Sequence, residues 1–127
     1  MIRFVPPLAL LLTATALACP VRTGYFANGQ FKDTTGLVPQ CSAGFRKLAA
    51  DVKAGEYGEI YKTTLNAVGG FRVAKAFNLF RANGWTSSGV ARKGNDKTYV
   101  FTKGKKQTVM LVREDDRSVL IVLIGDK

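Results

Sequence analysis

Histidine is absent from the 127 residues, cysteine occurs twice, tryptophan once, and 9 acids face 19 lysines and arginines. Each shortage excludes something. Without imidazole there is no Ser-His-Asp or Cys-His catalysis, no histidine acid/base pair and no imidazole ligand for zinc. Two cysteines alone cannot complete a structural zinc site, so neither a metal nor another cofactor is expected. No glycine-rich loop follows a strand to cradle phosphate. Gly29, Gly44, the Gly69-Gly70 pair and Gly84 stand beside turn or cap signals instead. The apolar run over residues 8–18 is shorter than the about 20 residues that a membrane span needs.

The scarcity of acid gives a formal charge of +10, which favours association with anionic matter as well as solubility. Arg3, the apolar stretch from Phe4 to Leu12 and the Ala16-Leu17-Ala18 exit form the pattern of a secretory signal over residues 1–18. Its removal lowers the charge only to +9. A secreted or periplasmic location follows as the expectation, and with it an oxidising environment. There Cys19 and Cys41 pair most simply in one disulfide, worth about 3 kcal/mol on the chain-entropy model. The competing readings are a lipoprotein acylated at Cys19, although Leu17 stands one place late for a lipobox, and free thiols.

Three parts are expected: the signal, an irregular arm over 19–41 closed by that bridge, and one domain over 42–127. The arm is rich in Gly, Thr, Asn and Pro, and Tyr25, Phe26 and Phe31 read as anchors onto the domain. Ser42 is a good N-cap for a first helix carrying Phe45, Leu48, Ala49 and Val52 on one face. Tyr57, Ile60, Tyr61, Leu65 and Val68 suggest a second helix over 56–68, weakened by Thr63-Thr64. A third carries Val73, Ala76, Phe77 and Phe80 and ends at Asn83-Gly84. Beyond Trp85 the period becomes alternating, with strands over 97–102, 107–113 and 118–124 and a weaker one over 86–92. The expected fold is α+β, with two to three N-terminal helices packed on one face of a three- to four-stranded antiparallel meander.

The last strand, Val119-Leu120-Ile121-Val122-Leu123-Ile124, is apolar on both faces, so both require cover. As the terminal strand of a meander it would also be an edge. Cover by the aromatic arm is expected in preference to a homodimer through residues 118–124.

Among groups that could carry chemistry, Glu56 and Glu59 read as a solvated helix face. Glu114, Asp115 and Asp116 form a turn relieved by Arg113 and Arg117, too tight for calcium. Enzymatic activity is therefore not expected, a weak histidine-free hydrolase being the residual alternative. The cations are more coherent. Lys103, Lys105 and Lys106 surround Gly104 in one turn, and Arg72, Lys75 and Arg81 form a second patch on the third helix. Together these six residues are the candidate contact for phosphate or sulfate groups. Tyr99 and Phe101 are expected to face the helices. The leading functional expectation is a non-catalytic binding module for an anionic macromolecule or surface. A protein-interaction or scaffolding module of the envelope, lipid-anchored or dimeric through the final strand, is the alternative.

Overall fold

The computed structural model describes residues 24–64, 69–114 and 118–127. The segment expected to be a secretory signal and Cys19 lie outside these residues, as do Asp115, Asp116 and Arg117. Two short strands, β1 (Tyr25–Phe26) and β2 (Phe31–Lys32), form a small hairpin. There follow β3 (Val38–Pro39), helix α1 (Ala43–Asp51), β4 (Glu56–Thr64) and helix α2 (Gly69–Ala82). The chain ends in β5 (Thr86–Lys93), β6 (Asp96–Lys103), β7 (Lys106–Glu114) and β8 (Ser118–Asp126). One antiparallel sheet holds six strands in the order β3-β4-β8-β7-β6-β5.

This corrects the expected architecture. The molecule is mostly β, with two helices among the described residues, and its large sheet has six strands. The segment expected to be a second helix contains β4. Tyr57, Glu59 and Tyr61 alternate with Gly58, Ile60 and Lys62, so the same residues that make a helical stripe also make a period-two strand. Aromatic and β-branched content then tips the balance. What decides it is pairing: β4 is antiparallel to β8 along its whole length, from Glu56 opposite Asp126 to Thr64 opposite Ser118. The final strand is accordingly not an edge. β4 and β7 flank it, and the doubly apolar sequence is that of a central strand.

The meander of β5 to β8 runs as the alternation in the sequence indicates. Two of its turns are two-residue connections with glycine first at positive φ, Gly94 at 60° and Gly104 at 61°, the II′ pattern suited to the strand twist. A bulge between Ser87 and Gly89 interrupts the β5–β6 register.

The helices do not share a face. α2 crosses the sheet between β4 and β5 and packs on the inner face. There Val73, Ala76 and Phe80 join Tyr57, Tyr61, Phe101, Met110, Val112, Val119, Ile121 and Leu123 in one buried cluster. Phe80 stacks on Phe101 at 4.4 Å between ring centroids and meets Trp85 edge-on at 5.6 Å. α1 lies on the outer face over β4. Its Leu48 and Val52 approach so closely that a Cβ on Gly58 would stand 2.8 Å from Leu48 Cγ. Ser42 precedes α1 in extended backbone but makes no side-chain cap bond, and Val52 caps the helix at its C-terminal end.

The arm is built into the core as its aromatics imply. Phe26 and Phe31 are buried, Phe26 against Tyr61 at 4.7 Å and Phe31 edge-on to Phe80 at 5.0 Å. The arm thus covers the inner face. Its strand β3 pairs with β4, not with the final strand.

Candidate functional site

Three surfaces follow from this arrangement: a cationic end of the sheet, an opposite end of mixed charge, and a buried carboxylate beneath the arm. The β6–β7 turn, the C-terminal end of α2 and the end of β8 lie at one end of the sheet. Register fixes Lys103 opposite Lys106, and Lys103 reaches α2, where its Nζ donates to the Asn83 carbonyl at 2.9 Å. A cation is favourable there because the last carbonyls of a helix carry its negative end. Arg81 sits in the same last turn of α2, its guanidinium 6.0 Å from the Phe77 ring centroid. Lys103, Lys105, Lys106 and Arg81 are all exposed. The nearby acid Asp126 is engaged by the backbone, accepting from the Gln107 N–H at 2.8 Å.

The other two cations of the proposed set stand elsewhere. Arg72 is nine residues before Arg81, about 13 Å along the helix axis. Its Nη1 donates to the Thr35 carbonyl at 3.0 Å, and the guanidinium lies against Gly36, leaving no room for a side chain at that glycine. Arg72 therefore straps the arm to α2. Thr35 is itself held by Asp33 Oδ1, which accepts from the Thr35 N–H and hydroxyl at 2.7 and 2.6 Å. Lys75, one turn beyond Arg72, is half-buried. The structure thus gathers Lys103, Lys105, Lys106 and Arg81 at one end and keeps Arg72 and Lys75 apart from them.

At the opposite end of the sheet two ion pairs form. Arg113 grips Asp96 with two bonds, Nε to Oδ1 at 2.7 Å and Nη2 to Oδ2 at 2.9 Å, and this pairing draws the Asp96 pKa down. Lys97 stands 3.7 Å from Glu114.

Glu59 is the group that the helical reading of 56–68 concealed. It is not solvated: on β4 it points to the inner face and is 4% exposed. Its Oε2 accepts from the Asn28 N–H at 2.9 Å and its Oε1 from the Tyr61 hydroxyl at 2.8 Å. Ala27 and Asn28 adopt left-handed φ of 57° and 58°, followed by Gly29 at 76°, and this turn presents backbone N–H groups to the carboxylate. Burial nevertheless pushes the Glu59 pKa up, the bonds from Tyr61, Asn28 and Ala27 opposing it. Tyr57 lies near, its pKa raised first by burial, with Thr108 and Gln30 opposing that rise. A cavity of about 180 Å³ at the free edge of β4 is lined by Asn28, Glu56, Tyr57, Glu59 and Lys127. Three positions apart on a strand, Glu56 and Glu59 face opposite ways, and Glu56 Oε1 already accepts from the Lys53 N–H at 3.0 Å. Both carboxylates thus anchor backbone: Glu59 holds the arm and Glu56 the turn that enters β4. The sequence signal for Glu59 was the alternation Tyr57-Glu59-Tyr61, an acid in an otherwise buried row.

Among the described residues no group of His, Cys, Asp and Glu could hold a metal ion, and no helix is long and apolar enough to cross a membrane. Cys41 is half-buried between β3 and α1, while the disulfide and acylation expected at Cys19 lie outside the described residues. Comparisons with protein-family models, curated proteins and solved structures found no match to this chain.

Proposed function

We propose that this is a small exported binding protein without catalytic activity, which engages repeated phosphate or sulfate groups on an anionic macromolecule through the cationic end of the sheet. The observation that carries the reading is the joining of two elements by one bond. Lys103 Nζ on the Asn83 carbonyl holds the β6–β7 turn, which carries Lys103, Lys105 and Lys106, against the end of α2, whose last turn carries Arg81. The ion pairs Asp96–Arg113 and Lys97–Glu114 lie at the opposite end of the sheet, and Asp126, the acid at this end, accepts from the Gln107 N–H.

The test is a titration of the protein against duplex DNA and heparin over a salt series. With three to four phosphate contacts, affinity for DNA should fall roughly 40- to 150-fold between 50 and 200 mM salt. The Lys105→Gln/Lys106→Gln pair should flatten that dependence by about two contacts. Arg72→Gln, remote from the surface, should leave it unchanged. Salt-independent affinity, or equal loss from Arg72→Gln and the lysine pair, would refute the assignment.

A further inference from the structure

α2 covers the inner face of the sheet only in part. Toward the β5 edge Tyr99 is half-buried, and Val90, opposite it on β5, is 56% exposed. Between this flank and α2 runs an open groove of about 510 Å³, a size suited to a small molecule. Val73 and Phe77 of α2 and Tyr99 of β6 form its apolar wall, the Phe77 and Tyr99 rings meeting edge-on at 5.5 Å. Asn78, Lys97 and Glu114 supply its polar groups. Lys97 Nζ and Glu114 Oε1 stand 3.7 Å apart, both partly exposed and too distant for a hydrogen bond between them. Register sets Arg92 of β5 opposite Lys97, on the same face and exposed. Lys93, Asp96 and Arg113 alternate with these residues and so point to the outer face.

We propose that this groove binds a free amino acid with an aromatic side chain, its carboxylate on Lys97 and Arg92, its ammonium on Glu114 and its ring against Phe77 and Tyr99. The charge pattern selects a zwitterion. A ligand carrying only negative charge would gain Lys97 and Arg92 but set that charge beside Glu114, and a ligand carrying only positive charge would meet the reverse conflict. The spacing agrees with this choice. The ammonium and carboxylate of an amino acid hang on one Cα, about 3 Å apart, close to the separation of Lys97 Nζ and Glu114 Oε1. The two dipoles can therefore lie antiparallel, each charge against its opposite. The apolar wall fixes the other half of the ligand, because Phe77 and Tyr99 present aromatic surface that an incoming ring covers edge-on or stacked.

Lys97 and Glu114 lie at the end of β6 and β7 remote from Lys103 and Lys106, so this reading and the polyanion surface can fail independently. The probe is L-phenylalanine, titrated into the isotopically labelled full chain and followed by amide shifts. Two analogues of single charge accompany it: 3-phenylpropionate, which lacks the ammonium, and 2-phenylethylamine, which lacks the carboxylate. Phenylalanine should saturate with a dissociation constant of about 1 mM, as befits a ligand of its size, and shift the amides of Phe77, Tyr99 and Glu114. Each analogue loses one partly exposed ion pair and should bind about three- to fivefold more weakly. Glu114→Gln should weaken phenylalanine by the same factor without weakening 3-phenylpropionate, and Lys97→Gln should weaken both without weakening 2-phenylethylamine. Ala74→Leu fills the groove from an exposed helix position and should abolish binding with an unchanged unfolding midpoint. The Lys105→Gln/Lys106→Gln variant should bind phenylalanine as the parent does. Three results would overturn the proposal: no saturable shifts, analogues that bind as tightly as phenylalanine, or binding that survives Ala74→Leu.

Discussion

Glu59 combines two opposing effects. Its carboxylate is needed by the Asn28 N–H and the Tyr61 hydroxyl, yet its charge is disfavoured where it sits. Because burial raises its pKa, the folded protein holds that proton more tightly than the unfolded chain does. The contribution of Glu59 to stability is thus fullest below the ordinary carboxylate value and declines as pH rises through the raised one. Glu59→Gln keeps an oxygen acceptor and cannot ionise. The parent's unfolding free energy minus that of Glu59→Gln should fall as pH rises from about 4 toward neutrality, measured by urea denaturation. A flat or rising difference would contradict the burial of this group. Glu59→Ala strands two donors and should cost about 2 to 4 kcal/mol. Gly125 makes a second residue-scale case. A Cβ there would collide with Thr108 Oγ1 and stand 2.9 Å from the Tyr57 ring, so Gly125→Ala should destabilise by about 1 to 3 kcal/mol.

Among the elements, β4 is the one whose sequence admits two structures. Tyr57, Ile60 and Tyr61 satisfy a helical stripe, and Tyr57, Glu59 and Tyr61 satisfy a strand. No local rule separates them over so few residues. The deciding partner, β8, lies some sixty positions further along the chain. By contrast α1, α2 and the β5–β8 meander are legible, because apolar stripes, glycine turns and alternation agree within each segment. The seat of α1 gives the prediction at this scale. Gly58→Val would drive a side chain into Leu48 and Val52 and displace α1 from the outer face. The expected signature is a loss of about 1 to 3 kcal/mol. The near-UV spectrum of the inner aromatic cluster should be retained, since Phe26, Phe80 and Phe101 pack on the other side.

For the whole molecule, the aromatic arm closes the inner face. Phe26, Phe31 and Leu37 are part of the same buried cluster as Phe80 and Tyr61, and Arg72 ties the arm down from α2. Deleting residues 24–40 removes these three side chains along with β3, and it bares both the inner aromatics and the edge of β4. The shortened protein should bind a hydrophobic dye strongly and sediment as aggregates. A monomer with an unchanged unfolding midpoint would show that the arm is dispensable. The asymmetry of charge is also a property of the whole: Asp96 and Glu114 pair with cations and Glu56, Glu59 and Asp126 with backbone, while the hairpin lysines remain exposed.

The amino-acid sequence alone settles the absence of imidazole chemistry and the basic character, and its local patterns indicate α1, α2, the meander and the anchoring of Phe26 and Phe31. These depend on composition or on patterns a few residues long. Only the tertiary structure decides that the final strand is central, that Glu59 is buried, that Arg72 is a strap while Arg81 joins the hairpin lysines, and that the helices take opposite faces. Each of those depends on which distant segment a residue meets, and contacts between segments far apart in the chain leave no local period to read.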